Sequence, residues 1–158
     1  MPSYDEHMVV GFMFDNEFEH VLLIRKTHPE WQKGLLNGPG GHREERDTST
    51  SETMRREFRE ETGIDTEWDA WKTVATLRGK FWRVWVLCAV APREVLFKAM
   101  RESCDKEEKC FVVAVDDVAS LDRDVTVGNV RWLVPMAVDR LRNPEAPKSV
   151  VVKYTEDE

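Results

Sequence analysis

The sequence has no run approaching the roughly 18 consecutive apolar residues that a membrane-crossing helix needs. Its opening stretch, MPSYDEHMVV, lacks the basic-then-apolar pattern of an export signal, so a cytoplasmic protein that does not engage membranes is expected. Cysteine is scarce: Cys88, Cys104 and Cys110 are an odd number, and no pair has the spacing of a zinc site or a redox couple. Cys88 lies within an apolar run and reads as a small buried hydrophobe. Basic charge is also short, with 23 Lys and Arg against 30 Asp and Glu for a formal charge of -7. That balance argues against gripping long nucleic acid through its backbone, although a small phosphorylated ligand remains compatible if local cations or metal ions invert the field at its site. The four histidines form no recognisable ligand set or triad, and no internal repeat or low-complexity tract occurs.

What is present is enough for one compact domain. A chain of 158 residues with 41% apolar content can bury most of its own core without disulfides. Residues 8–14 and 21–26 are apolar runs separated by DNEFEH and read as two strands joined by a turn. The following HPEWQKGLLNGPGG is too rich in glycine and proline for a regular element and reads as a structured loop. From Thr50 to Thr62 the chain reads as a helix, with Ser49 as N-cap, Glu52 completing a capping box and Gly63 as the C-terminal stop. Met54 and Phe58 face the core. Two further strands follow at 71–79 and 82–90, turning around Gly79 and Lys80, and another lies at 110–115. A late helix over 130–141 repeats Val134, Ala137, Val138 and Leu141 at helical spacing, with Pro135 tolerable only in its first turn. Residues 1–143 then form the domain, and 144–158 are a tail or an added edge strand. One central and one late helix against a strand-rich core predict an α/β fold with a mixed sheet between helices, not a doubly wound sheet.

The chemistry concentrates between Gly38 and Ile64. Glu57, Glu60 and Glu61 fall on adjacent helical turns, where three carboxylates repel one another. A solvated helix face balanced by Arg55, Arg56 and Arg59 is the plain explanation. The NGPGG loop just before the helix favours a different one, because a tight loop can aim backbone groups at the carboxylates and so complete a site for a hard divalent cation such as magnesium, which bridges carboxylates and phosphates.

The segment Arg56-Glu57-Phe58-Arg59-Glu60-Glu61-Thr62-Gly63-Ile64, with Gly40-Gly41 ahead of it, resembles the signature of the Nudix hydrolase family: a glycine, five residues, a glutamate, seven residues, then Arg-Glu-apolar-x-Glu-Glu-x-Gly-apolar. The departure lies in the middle, where Asp47 occupies the glutamate position and eight residues separate it from Arg56, so that Asp47 or Glu45 takes the role of steadying the arginine. The resemblance extends over roughly residues 7–142 and implies a Nudix-like α/β/α sandwich with a central mixed sheet. It implies Mg2+, with Mn2+ as the alternative ion, ligated by Glu60 and Glu61, with Glu57 as a further ligand or support and the Gly40 carbonyl completing the set. Arg56 orients the carboxylates through its planar fork or serves as a structural salt bridge. A late-loop glutamate is also implied, for metal binding or proton removal from water; Glu107 is the first choice and Glu108 the second.

For the substrate, Arg25, Lys26 and Lys33 precede the glycine loop and are candidates for phosphate. Asn37 sits in a string similar to that of the oxidised-purine triphosphatases of the family, where it contacts the base; an asparagine before glycine is also an ordinary turn former. Asn129 falls near the other base-reading position, and Trp31 and Trp82 are candidates for stacking. The expected reaction is hydrolysis of a nucleoside triphosphate to monophosphate and pyrophosphate. Alternatives are cleavage of a nucleoside diphosphate linked to a sugar or another nucleotide, and a regulatory domain that binds nucleotide without turnover. A homodimer is compatible with all three.

Overall fold

In the computed structural model, residues 4–143, Glu145 and 149–155 are described. Eight strands and four helices follow one another as β1 (Glu6–Asp15), β2 (His20–Arg25), β3 (Leu36–Asn37), β4 (Gly40–His42), α1 (Thr50–Thr62), β5 (Lys72–Arg78), β6 (Trp82–Ala91), α2 (Arg93–Glu102), β7 (Cys110–Ala114), α3 (Val115–Val118), α4 (Val130–Arg142) and β8 (Val150–Lys153). All eight strands join one sheet, in which β1 runs parallel to β6 and β8 parallel to β5, while β1 pairs antiparallel with β2 and β4. Strand β2 also carries β3 and β7. The mixed sheet is thus split at its middle, and the splayed region between β1 and β2 holds the glycine loop.

Period-two alternation sorts the core into two layers. On β1, Val9 and Met13 pack with Met54 and Phe58 of α1 and Leu96 and Ala99 of α2. Val10, Phe12 and Phe14 point the other way, against Leu133, Val134 and Ala137 of α4. The result is an α/β/α sandwich in which both faces of β1 are buried, as its nearly unbroken apolar sequence requires. Cys88 and Cys110 are buried within these layers and burial raises both thiols above their usual range.

Helix α1 starts where Ser49 caps it, its side chain accepting from the Glu52 N–H, and ends where Gly63 adopts φ 78°, a left-handed conformation that glycine enters without a Cβ clash. The capping box is displaced by one residue, since Glu52 accepts from the Thr48 N–H and hydroxyl instead of reaching Ser49.

Several elements differ from the sequence reading. Helix α2 and the short α3 are additional to the two expected helices; Leu96 and Ala99 of α2 are fully buried at a helical spacing of three. The glycine-rich segment is not wholly loop, because β3 and β4 pair with β2 and β1. Pro135 lies inside α4, beyond its first turn, because the helix begins at Val130. The chain after α4 adds strand β8 to the free edge of β5. Residues 144, 146–148 and 156–158 of the expected tail lie outside the described residues.

Candidate metal and nucleotide site

The first turns of α1 and the β4 loop are locked together by Arg56. Its Nε and Nη2 donate to the two oxygens of Asp47 at 3.1 and 3.0 Å, Nη1 donates to Glu57 at 2.9 Å, and Nη2 also donates to the His42 carbonyl at 3.0 Å. Asp47, not Glu45, therefore partners the arginine, across the eight residues that separate the two. Asp47 is buried and also accepts from the Glu44 N–H and the Thr53 hydroxyl. The guanidinium, together with these donors, holds its carboxyl down at about 2. A carboxyl whose folded pKa is depressed contributes stability above its unfolded value and loses it as pH falls through the folded one. Asp47 is accordingly expected to contribute about 2 kcal/mol at pH 5 and above, lost between pH 4 and pH 2. Urea unfolding of Asp47→Asn against the parent should show a gap that closes over that acid range; a gap independent of pH would remove the ion pair from the account.

The glutamates of α1 separate according to the helix face they occupy. Glu61, one turn beyond Glu57, reaches back to the loop and accepts from the Gly40 N–H at 3.2 Å and from Lys26 Nζ at 3.5 Å. Glu57 lies directly under Gly41: a Cβ there would come within 2.5 Å of the Glu57 carboxyl carbon, so this carboxylate occupies the space that any side chain at 41 would fill. Glu60 differs. Its side chain is 51% exposed and faces Arg56 at 3.4 Å and Arg46 at 4.0 Å. The link between Gly40 and the cluster runs through its amide, where the sequence reading expected its carbonyl.

Of the two late-loop candidates, the structure brings Glu108, and not the first choice Glu107, toward the cluster. Glu107 is exposed, whereas Glu108 turns inward, accepts from the Thr27 hydroxyl at 2.7 Å and backbone N–H at 3.2 Å, and stands 3.9 Å from Lys26. The cause is strand parity: Glu108 precedes the buried Cys110 by two residues and so shares the face on which α1 packs. The same parity corrects the basic residues. Leu22 and Ile24 face α1, and Lys26 continues their side, while Arg25 lies on the opposite face with its guanidinium 4.8 Å above the Phe111 ring. Lys33 is exposed in the turn after a short 3-10 helix, and neither Arg25 nor Lys33 lines the cavity described next.

Three carboxylates, Glu57, Glu61 and Glu108, face the ammonium of Lys26 and one arm of Arg56, whose fork is already engaged by Asp47. Burial, reinforced by its neighbours Glu108 and Glu57 against the opposing pull of Lys26, pushes Glu61 up to about 7, and burial raises Glu57 as well. Among the described residues, only Asp15, Glu19 and His20 place three ligand atoms within 4.8 Å of one another. Both carboxylates of that group are already engaged, since Arg93 lies 3.2 Å from Asp15 and 2.8 Å from Glu19. The wider spacing of Glu57, Glu61 and Glu108 fits a hard cation that keeps several of its own waters. An oxygen-only donor set that includes a raised carboxyl thus fits a hard divalent cation in chemistry.

A cavity of about 640 Å³ adjoins this cluster through Lys26, Gly40 and Gly41, which line it together with Trp82, Asn129 and Tyr154. Trp31 and Asn37 also line it. The Asn37 amide is engaged locally, donating to Gln32 at 3.0 Å and accepting from the Gly38 N–H at 2.8 Å, which is the turn-forming role. Tyr154 was missed by sequence reading because only the pairing of β8 with β5 carries it to the cavity, where its ring centroid is 5.3 Å from that of Trp82.

This fold and this arrangement of loop and helix define an α/β/α domain with a glutamate helix packed on a glycine loop, and the comparisons place it. The family model for the Nudix domain matches residues 5–148, and the chain belongs to that family. A comparison with curated protein sequences finds no match. Among solved structures, NrtR from Shewanella oneidensis is similar with a TM-score of 0.69 and 16% identity over 87% of this chain; the match spans 64% of the NrtR chain. The NUDIX domain of the same protein, in complex with ADP ribose, is similar with a TM-score of 0.64 and 18% identity, covering 86% of this chain and 88% of that one. A MutT protein from Bacillus halodurans is similar with a TM-score of 0.58 and 18% identity, covering 95% and 90%. Among the described residues no helix is long and apolar enough to cross a membrane.

Proposed function

We propose that the chain hydrolyses a phosphoanhydride bond within a nucleotide, releasing a nucleoside monophosphate. The observation that carries this is Glu61, a largely buried carboxyl held by the Gly40 amide and Lys26, both of which line a nucleotide-sized cavity, with Glu57 and Glu108 close by.

Glu57, Glu61 and Glu108 would hold Mg2+ or Mn2+, which when bound neutralises phosphate oxygens and stabilises the leaving phosphate. Direct ligation by Glu60 requires its carboxylate to leave Arg56. Lys26, lining the cavity beside Glu61, presents its ammonium to a phosphate oxygen. Glu108, oriented by the Thr27 hydroxyl and amide, takes a proton from the attacking water as its oxygen bonds to phosphorus and the bridging P–O bond breaks. Arg56 and Asp47 position Glu57 and the β4 loop without touching substrate.

Two substrate classes fit. A nucleoside triphosphate, cleaved to monophosphate and pyrophosphate, is the reading from the sequence; the local engagement of the Asn37 amide weakens the part of it that relied on base contact. A nucleoside diphosphate linked to a second group is favoured by the likeness to a domain bound to ADP ribose. The overall charge of -7 is consistent with a small ligand in either case. Product analysis with triphosphates, diphosphate sugars and dinucleotides, with magnesium or manganese and with chelator, is the test. We expect metal-dependent monophosphate from at least one class. Saturable nucleotide binding without any metal-dependent product would instead make the chain a non-catalytic binding domain.

A further inference from the structure

At the end of the sheet where β1 begins and β8 finishes, strand register sets four basic side chains in one row. His7 of β1 is the partner of Arg83 on β6, Arg83 is the partner of Arg78 on β5, and Arg78 is the partner of Lys153 on β8. Residues directly opposite one another share a face of the sheet. Met8, Val84, Leu77 and Tyr154, each one residue along from a member of the row, line the nucleotide cavity. Alternation therefore turns the row to the back of that cavity wall. With strands about 4.8 Å apart, the four positions extend over roughly 14 Å.

Like charges directly opposite one another destabilise a sheet, and a row of them calls for a counter-charge. In a chain of formal charge -7, Arg78, Arg83 and Lys153 nonetheless make no ion pair among the described residues. Their setting is ordered all the same. The Arg83 guanidinium lies 4.3 Å from the centre of the Tyr4 ring and 5.6 Å from that of Trp85, and His7 stacks on Trp85 with centroids 5.6 Å apart. Arg83 Nε and His7 Nδ1 are shielded from solvent without a hydrogen-bond partner among the described residues. Arg83, with help from Arg78, also holds the Tyr4 hydroxyl below the usual tyrosine range, as a positive field requires.

A straight line of cations on a flat face suits a straight chain of anions. A phosphate chain carries a charge on every link, dense enough to serve all three cations at once, and guanidinium forks take its oxygens in pairs. The Tyr4 and Trp85 rings already pack against Arg83 and His7, which leaves charge, rather than aromatic surface for bases, as the attraction. We infer that this face binds a linear polyphosphate chain, with successive phosphates on Arg83, Arg78 and Lys153. The row shares no residue with the Glu61 cluster or with the cavity, so the site stands apart from the reaction proposed there.

The test titrates four probes into the full chain in chelator, followed by calorimetry: inorganic polyphosphate, orthophosphate, a polyglutamate peptide and a single-stranded oligonucleotide, the three chains matched in charge. Polyphosphate should bind most tightly, with an affinity that falls about tenfold or more from low to high salt. Arg78→Ala and Lys153→Ala should each weaken it about fivefold and the double variant about twentyfold, while Lys26→Ala, which removes the ammonium beside Glu61, should change it less than about twofold. Arg78→Lys keeps the charge and should stay within about threefold of the parent. Polyphosphate binding no tighter than orthophosphate overturns the site, as does a loss from Lys26→Ala equal to those of the row variants. Polyglutamate or the oligonucleotide binding as tightly as polyphosphate overturns the ligand class. Circular dichroism matching the parent shows that a loss belongs to the site and not to unfolding.

Discussion

Glu61→Gln is expected to abolish turnover and at the same time to stabilise the metal-free protein. The first effect follows from removing the central anionic oxygen ligand, for which a loss of roughly a hundredfold or more is the ordinary scale when a group stabilising the transition-state charge is removed. The second follows from the position of the group. Glu61 is buried, faces Glu57 and Glu108, and has only Lys26 and one amide in its favour, so that its carboxyl is raised to about 7 from an ordinary 4.5. With the folded pKa above the unfolded one, stability is greatest below about pH 4.5 and declines as pH rises toward 7, where the charged form becomes obligatory. A glutamine cannot ionise and escapes that decline. In chelator at pH 8 the variant should be more stable by about 3 kcal/mol, and the two proteins should converge below pH 5. Magnesium should reverse the order by stabilising only the parent, with an affinity that rises with pH as the ion displaces the Glu61 proton. Thermal unfolding with and without metal over this range provides the measurement. A variant that is no more stable than the parent at pH 8 in chelator would sink the description of Glu61 as a carboxyl strained in the absence of an ion.

Arg56→Ala should be the most destabilising single change at the site. Arg56 ties together the loop residue Asp47, the helix residue Glu57 and the His42 carbonyl, with 14% of its side chain exposed. Its removal leaves Asp47, 2% exposed, as an uncompensated buried charge, a type of change that costs about 3–5 kcal/mol. Arg56→Lys retains the charge and loses the fork that meets both Asp47 oxygens, and a loss of about 1–3 kcal/mol is expected. Turnover should fall in both variants, because Glu57 and the β4 loop lose their common anchor. A double-mutant cycle with Asp47→Asn apportions the effect: a coupling energy near zero would show that the pair contributes nothing beyond its separate residues. The comparison also bears on the extra residue before α1. If the fork survives its insertion in solution, the coupling should be large despite the altered spacing.

The line between what was legible in the sequence and what was not follows the range of the interactions. Helix α1, its Ser49 cap and its Gly63 stop were legible because capping and helical periodicity act within a few residues. The strands of the β1–β2 and β5–β6 hairpins were legible from runs of apolar residues and the turns between them. Helix α2 escaped because REVLFKAMRE mixes charge with only two fully buried positions, Leu96 and Ala99, so its periodicity is faint without the sheet beneath it. Lys26 and Glu108 illustrate a signal that was present and not used: each lies two residues along from a buried neighbour, at Ile24 and Cys110, and alternation alone would have selected them over Arg25 and Glu107.

By itself the sequence determined the family, the register of the glutamate helix and the nature of the donor groups, because these depend on spacings within one turn or one loop. Only the tertiary structure decided which carboxylates lie near one another, that Asp47 holds Arg56, and that Tyr154 lines the cavity beside them. Those pairings unite residues far apart in the chain, and they are fixed by strand order, by the parallel seating of β8 on β5, and by the burial that gives Glu61 its altered proton affinity.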